Sequence, residues 1–482
     1  IPVVITDSDA NKNSRSDEDL DFYNPEVTLI PALKIGNPTT LLGNGTAKPT
    51  LSYNTGAAYF NLASTGVEKY SDRAVFSKGT TTVVSGGDNF EVSMANVGLV
   101  NKTIPFDNTN FKGFGLLNYD IRSLENSGEL AISTVNVQMK ADSNGYQTIA
   151  TNVKTQGLLN ITKAVYADAM SGTNANERVY VKFVITGAGG TIPANAKLPI
   201  AVDFFGFGYI NDGIKVNERV SNQIIRIEAE ETGDNTGVFN GSLEYVMLNQ
   251  LNILDVNTYT GLTTFGNTPS FVVIDDLDGN DAPRVNYNDL GADGVTTQVS
   301  DQVDTPTHSG IVSFDKSNYK IADTVTITLE DADLNTDVDL IDIYTTVGTG
   351  TYRDIVGSGG NTAYPASTQV LSNGDYLGRL LDITFDDEQW KKSSCMVGPA
   401  PSADDGLSET GFTLVETGSA TGIFTGDYQV PTNYCSTNAN PDTQTSTTGK
   451  DMEVNYVDFR DASGNIVEVG DGAGIRANTG SV

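Results

Sequence analysis

Two stretches of this chain obey one rule. Glu231-Thr-Gly-Asp-Asn-Thr-Gly-Val-Phe-Asn-Gly241 and Glu416-Thr-Gly-Ser-Ala-Thr-Gly-Ile-Phe-Thr-Gly426 both read E-T-G-x-x-T-G-[VI]-F-x-G. The pattern predicts a hairpin. Gly233 and Gly237, like Gly418 and Gly422, supply turn conformations that a side chain resists, and Phe239 and Phe424 anchor the returning strand in a core. Other landmarks recur in the same order. Asp7-Ser-Asp9-Ala-Asn11 matches Asp331-Ala-Asp333-Leu-Asn335, and Val285-Asn-Tyr-Asn-Asp289 matches Val454-Asn-Tyr-Val-Asp458. Ile225-Arg-Ile227 and Phe412-Thr-Leu414 are read as the strands leading into the hairpins. Landmarks shared in order mean duplication, so the chain is expected to fold as two copies of one unit.

The spacers differ. Far more chain separates Asp7 from Glu231 than Asp331 from Glu416, and the excess has the length of a domain. The expected organisation is a first unit from residues 1–35 plus 216–300, an inserted β domain (or two) at 36–215, and a second unit at 301–482. The second unit carries its own insert near 388–410. Residues 301–310 read as a polar linker. The first unit starts at Ile1 inside a strand and lacks the strand that precedes the same motif in the second unit, which reads as a piece of something longer.

The elements themselves are expected to be strands. In Thr324–Leu329 apolar Val325, Ile327 and Leu329 alternate with threonine, at the period of a half-buried sheet. The insert shows similar short runs at Thr82–Val84, Phe90–Met94, Ala131–Met139, Gln147–Val153, Val179–Thr186 and Ala201–Phe207, punctuated by Gly, Asn and Asp. Helical signals are few, and Ser123–Ala131 is at most a turn or two. A content of 49 Gly against 6 Met and 1 Trp suits an all-β chain. The most apolar run, Leu198–Ile210, carries Asp203 and is too short to span a bilayer, so it reads as two buried strands.

A formal net charge of −32 argues against nucleic acid and anionic membranes and for cations. It also keeps an exposed surface soluble. The densest acid lies in the two repeated D-x-D-x-N segments and in Asp276-Leu-Asp278-Gly-Asn280. Alternate oxygens on a curling loop can face one Ca²⁺, with Asp17, Asp19, Asp337 and Asp339 as further ligands. None is an EF-hand, because the sixth position is Lys12, Thr336 or Asp281 where glycine is needed. The competing reading is an Asx turn, whose carboxylate caps backbone N–H groups.

One histidine, His308, and two cysteines cannot build an ordinary zinc site or supply a catalytic triad, and His308 reads as a solvated linker residue. Cys395 and Cys435 either form one disulfide in an oxidising compartment or stay as thiols. Sequons at Asn44, Asn101, Asn160 and Asn240 fit a secreted glycoprotein. Glu388, Trp390 and Tyr376 are the residue types of a carboxylate-dependent glycosidase, weighed against Trp390 as a core plug.

The second unit resembles the surface-layer (S-layer) proteins of ammonia-oxidising archaea. The resemblance rests on Phe314-Asp-Lys-Ser-Asn-Tyr319 through Asp337, followed by Glu416–Gly426. It is partial in the first unit, where Lys12-Asn13-Ser14 interrupts it, and it does not cover the insert. It implies tandem Ig-like β-sandwich domains of an extracellular, non-enzymatic subunit that assembles with itself into a lattice stiffened by Ca²⁺. The alternatives are an extracellular adhesin or glycan-binding module, and a carboxylate-dependent glycoside hydrolase.

Overall fold

The computed structural model describes all residues except 28, 42–48, 55–58, 62–72, 78, 96, 127–129, 175, 212–215, 250–251, 275–276, 278–281, 346–379, 391–406, 436–443 and 478–482. Of the described residues 51% are strand and 8% helix, and the fold is all-β. Among the described residues no helix is long and apolar enough to cross a membrane.

In the second unit the sequence pattern turns directly into two layers. Along Thr324–Glu330, Val325, Ile327 and Leu329 are fully buried while Thr324 and Glu330 face solvent. This strand lies between Ile311–Phe314 and Ile423–Gln429, in an antiparallel sheet that continues through Thr413–Glu416 to Ile343–Thr345. The facing sheet runs in the order Asn318–Tyr319, Val467–Ile475, Asp451–Asp458, Leu381–Phe385, Glu388–Gln389. Ile383, Trp390, Leu414, Phe424 and Tyr428 fill the space between.

The first unit rebuilds these layers from residues on either side of 36–215. Pro2–Thr6, Val238–Ser242 and Glu230–Glu231 form one sheet. Ala32–Ile35, Arg284–Leu290 and Thr296–Gln302 stand where Leu381–Phe385, Asp451–Asp458 and Val467–Ile475 stand in the second unit. Ile5, Leu20, Ile30, Phe239 and Tyr287 pack together within it. The expected lead-in strands do not correspond. Phe412 to Leu414 run straight into Glu416, whereas Ile225 and Ile227 belong to Arg219–Ile227, which pairs with Ala32–Ile35 in the other layer.

Among the described residues the second unit's sheet ends at Glu388–Gln389, whereas the first unit's sheet continues. Ala32–Ile35 pairs with Arg219–Ile227, then come Lys197–Ile210, Phe111–Asp120 and Gln156–Ile161. One ten-stranded sheet therefore joins the first unit to residues 36–215. A six-stranded sheet, with Thr134–Ala141, Arg178–Thr186 and Asn89–Ala95 at its centre, lies over the insert's part. Leu117, Tyr119, Val137, Phe183 and Phe204 share the core there.

The apolar run expected as two strands is one, Lys197–Ile210, 14 residues long. Its Asp203 is fully buried and faces an equally buried Arg226, with Nη1 to Oδ2 at 2.6 Å and Nη2 to Oδ1 at 3.1 Å. Asn118 Nδ2 donates to the same carboxylate at 2.9 Å. The guanidinium lies 5.5 Å from the ring centre of Phe22 and 5.2 Å from that of Phe265. A charge in mid-strand is tolerable only with partners of this quality. Among the described residues of the Ser123–Ala131 stretch, Ser123–Asn126 form one helical turn. The expected polar linker is fastened down: Thr305 and Thr307 are buried, and Thr307 Oγ1 donates to the carbonyl of Asp461.

Candidate functional site

The E-T-G-x-x-T-G hairpins and the D-x-D loops meet at one corner of each unit, through the same bonds. In the first unit Glu231 is buried, and its Oε1 accepts from the N–H of Thr236 at 2.9 Å and of Gly237 at 2.7 Å. Its Oε2 accepts from Glu18 N–H at 3.2 Å. In the second unit Glu416 Oε1 accepts from Thr421 N–H and Gly422 N–H, both at 2.9 Å, and Oε2 from Asp342 N–H at 3.2 Å. Burial would raise the Glu231 carboxyl, but N–H donors from Gly237, Glu18 and Thr236 outweigh it and hold it below the usual range.

Only the second glycine of each hairpin is left-handed, Gly237 at φ +60° and Gly422 at φ +59°. A β-carbon on Gly237 would lie 2.9 Å from Ser8 Cα, and one on Gly422 would lie 2.8 Å from Ala332 Cα. The hairpin thus presses its backbone onto the D-x-D loop, where Asp7 N–H donates to Gly237 O and Asp331 N–H to Gly422 O, each at 2.8 Å. Gly233 and Gly418 are not left-handed, so the sequence overstated their role.

The first aspartate of each loop is an Asx turn and more. Asp7 Oδ1 accepts from Asp9 N–H at 2.8 Å, and Asp331 Oδ1 from Asp333 N–H at 2.9 Å. The tyrosine of V-N-Y-x-D closes each corner from the facing sheet: Tyr287 OH donates to Asp7 Oδ2 at 2.7 Å, and Tyr456 OH donates to Asp331 Oδ2. The shared tyrosine was visible in both copies. Its partner was not, because it comes from the opposite layer.

The corners differ in burial. In the second unit Asp331, Asp333 and Asp458 are 3%, 6% and 2% exposed. Asp458 Oδ2 accepts from Gly310 N–H at 2.7 Å and Oδ1 from Arg460 N–H at 3.0 Å. His308 is no free linker residue: its N–H donates to Asp333 Oδ2 at 2.9 Å and its Nδ1 lies 2.7 Å from Oδ1. Burial, with the Asp458 carboxylate beside it, pushes Asp331 well above the usual range. Burial likewise raises Asp333, against the pull of His308, and lifts Asp458 to about 6.

The expected calcium ligands engage separate partners. Asp9, Asp17 and Asp19 are exposed, and Asn11 Nδ2 donates to Asn235 Oδ1 at 3.0 Å. Asp337 and Asp339 are exposed and tied in a local turn, with Asp339 N–H donating to Asp337 Oδ1 at 2.9 Å. The Asn335 Oδ1 is buried and accepts no hydrogen bond among the described residues. Asp276, Asp278 and Asn280 lie outside the described residues. Among the described residues no three or more His, Cys, Asp or Glu side chains are grouped as a metal ion would need. The Asp7 and Asp331 loops each form an Asx turn.

Of the sequons, Asn240 is exposed on its strand, whereas Asn101 Oδ1 accepts from Tyr166 OH and Asn160 Oδ1 is buried. Asn44 lies outside the described residues. Cys435 is disulfide-bonded and Cys395 lies outside the described residues. Trp390 is 1% exposed, tilted against Phe385 and Tyr428, and so unavailable as a sugar-stacking platform. Glu388 accepts from Tyr434 OH at 2.8 Å. Tyr376 lies outside the described residues.

A cleft of about 890 Å³ separates the units, lined by Glu244, Tyr245, Asn252, His308, Asp337 and Asp339 among others. No protein-family model and no curated protein matches the sequence.

Proposed function

We propose that the chain is a structural, non-enzymatic part of a self-assembling extracellular layer of the archaeal S-layer kind, built from tandem Ig-like sandwiches. One observation carries this reading. The same bonds around Glu231 and Asp7 in one unit and Glu416 and Asp331 in the other brace both corners, and these carboxylates serve as acceptors for backbone N–H and tyrosine hydroxyls. Such corners are scaffold, repeated because the unit is repeated.

Ca²⁺ enters the reading through charge alone. Asp9, Asp17 and Asp19 in one corner, and Asp337 and Asp339 in the other, are exposed. Partial burial of its carboxyl raises Asp19, and so do the neighbouring carboxylates of Asp21, Glu230 and Asp17. A divalent cation would relieve that crowding. Electron microscopy of the purified chain with Ca²⁺ and with chelator is the test. Ordered sheets or filaments formed with Ca²⁺ are expected, and a chain that stays monomeric at every concentration would overturn the lattice reading. The cleft between the units favours a second reading, a glycan-binding adhesin, because its amide, carboxylate and tyrosine lining suits sugar hydroxyls. A glycan array on the whole chain separates the two.

A further inference from the structure

The six-stranded sheet of residues 36–215 has a polar outer face. Along Thr134–Ala141 and Arg178–Thr186, Val137, Met139, Val181 and Phe183 are buried in the core. Gln138, Lys140, Tyr180 and Lys182 alternate with them and are half-buried on the other side. The register sets Lys140 opposite Tyr180 and Lys182 opposite Gln138. Tyr146, just before the neighbouring strand Gln147–Val153, completes the group. Lys140 Nζ lies 5.0 Å and Lys182 Nζ 3.9 Å from its ring centre, and Lys140 Nζ is also 4.9 Å from that of Tyr180. Two ammonium groups thus share one aromatic ring.

Such a pair is out of keeping with a chain of 29 basic and 61 acidic residues. Elsewhere bases are taken up by acids: Arg226 by Asp203, Arg122 by Asp120 and Glu228, Lys450 by Asp386, Arg476 by Asp451. Neither Lys140 nor Lys182 forms an ion pair among the described residues. Two carboxylates act on them from nearby. Glu91 stands opposite Lys182 in the ladder and is 8% exposed. Asp142 accepts from Arg178 N–H at 3.0 Å and from the Tyr180 hydroxyl. Burial, with the Lys140 charge added to it, outweighs Glu91 and lowers the Lys182 ammonium below the usual lysine range. A bound anion would relieve both the lost hydration and the repulsion.

We infer that Lys140 and Lys182, set over Tyr146 on this outer face, bind the carboxylate of an acidic saccharide. Two ammonium groups on one ring give charge-assisted hydrogen bonds to the two oxygens of a carboxylate. The surroundings suit a sugar. Gln138, whose Nε2 donates to Thr148 Oγ1 at 3.3 Å, and half-buried Asn136 and Ser52 offer uncharged partners to hydroxyl groups. An acidic peptide fits less well, because its closely spaced carboxylates would be driven against Glu91 and Asp142. A saccharide with one acid among neutral sugars avoids that repulsion. The cleft between the units is a separate surface, lined by none of these residues.

The probe is a tetrasaccharide of alternating glucuronate and N-acetylglucosamine, titrated into the whole chain by calorimetry at pH 7. Chitotetraose serves as its neutral counterpart and tetra-aspartate as the acidic peptide. The expected result is saturable one-to-one binding of the acidic saccharide that weakens as salt rises. Lys140→Gln and Lys182→Gln should each weaken it by about tenfold or more, the loss of a hydrogen bond to a charged group. Lys182→Arg should retain it, and so should Lys154→Gln, an exposed lysine outside the group. Four results would each overturn the assignment: no saturable binding of the acidic saccharide, equal affinity for chitotetraose, tighter binding of tetra-aspartate, or an affinity that both glutamine variants leave unchanged.

Discussion

Replacing Arg226 with methionine tests what joins the insert to the first unit. Arg226 and Asp203 are both fully buried, sit on adjacent strands of the ten-stranded sheet, and make two contacts at 2.6 and 3.1 Å. Methionine keeps most of the side-chain length against Phe22 and Phe265 and removes the charge. Asp203 then keeps only Asn118 as a partner, and an uncompensated buried charge costs about 3–5 kcal/mol. The double variant Arg226→Met with Asp203→Leu should recover much of that loss, since an apolar pair leaves no charge stranded. The single tryptophan makes the assay selective. Trp390 is buried in the second unit, so its fluorescence reports that unit, while circular dichroism reports the whole chain. Arg226→Met is expected to move the urea midpoint seen by circular dichroism and leave the fluorescence midpoint in place. A circular-dichroism shift worth less than about 1 kcal/mol would refute the argument, because a surface pair behaves that way and a stranded charge does not.

The corners supply three more predictions. Gly422→Ala forces an L-residue to φ +59° with its β-carbon 2.8 Å from Ala332 Cα. It should cost at least about 1–2 kcal/mol, seen as a fall in the Trp390-reported midpoint, and Gly418→Ala should cost less. Tyr456→Phe leaves a buried Asp331 oxygen without its donor and should cost about 1–3 kcal/mol, whereas Tyr287→Phe, beside half-exposed Asp7, should cost less; equal losses would contradict the difference in burial. Asp458 titrates at about 6 when folded against 3.8 for the free side chain, so the folded state holds its proton across that window. Stability from this group is therefore greatest below 3.8 and fades as pH rises from there through 6, by on the order of 3 kcal/mol in all, of which about 1 kcal/mol falls between pH 5 and 7. The fluorescence midpoint should rise from pH 7 to pH 5 and Asp458→Asn should flatten it; a midpoint that falls over that range in the parent chain would count against the assignment.

What the sequence disclosed was whatever a local pattern can carry. The alternation in Thr324–Glu330 and the paired hairpins gave the all-β class, the left-handed Gly237 and Gly422, and the buried Phe239 and Phe424. What it hid depends on residues far apart in the chain. Nothing near His308 announces Asp333, and nothing near Asp203 announces Arg226. The same limit explains why Leu198–Ile210 reads as two strands and folds within one, since an aspartate looks like a break until its partner is known. It also applies to the loops that begin at Asp7 and Asp331, whose tyrosine partners come from the opposite layer. Spacing counts the oxygens but does not say which already hold an N–H or a tyrosine hydroxyl.

The ten-stranded sheet has a mechanical consequence. Because Ala32–Ile35 and Arg219–Ile227 hand the ladder on to Lys197–Ile210, neighbouring rungs on the two sides of that seam belong to different stretches of the chain. Pulling residues 36–215 away from the first unit would have to break those rungs. Under tension these two regions would behave as one stiff lever.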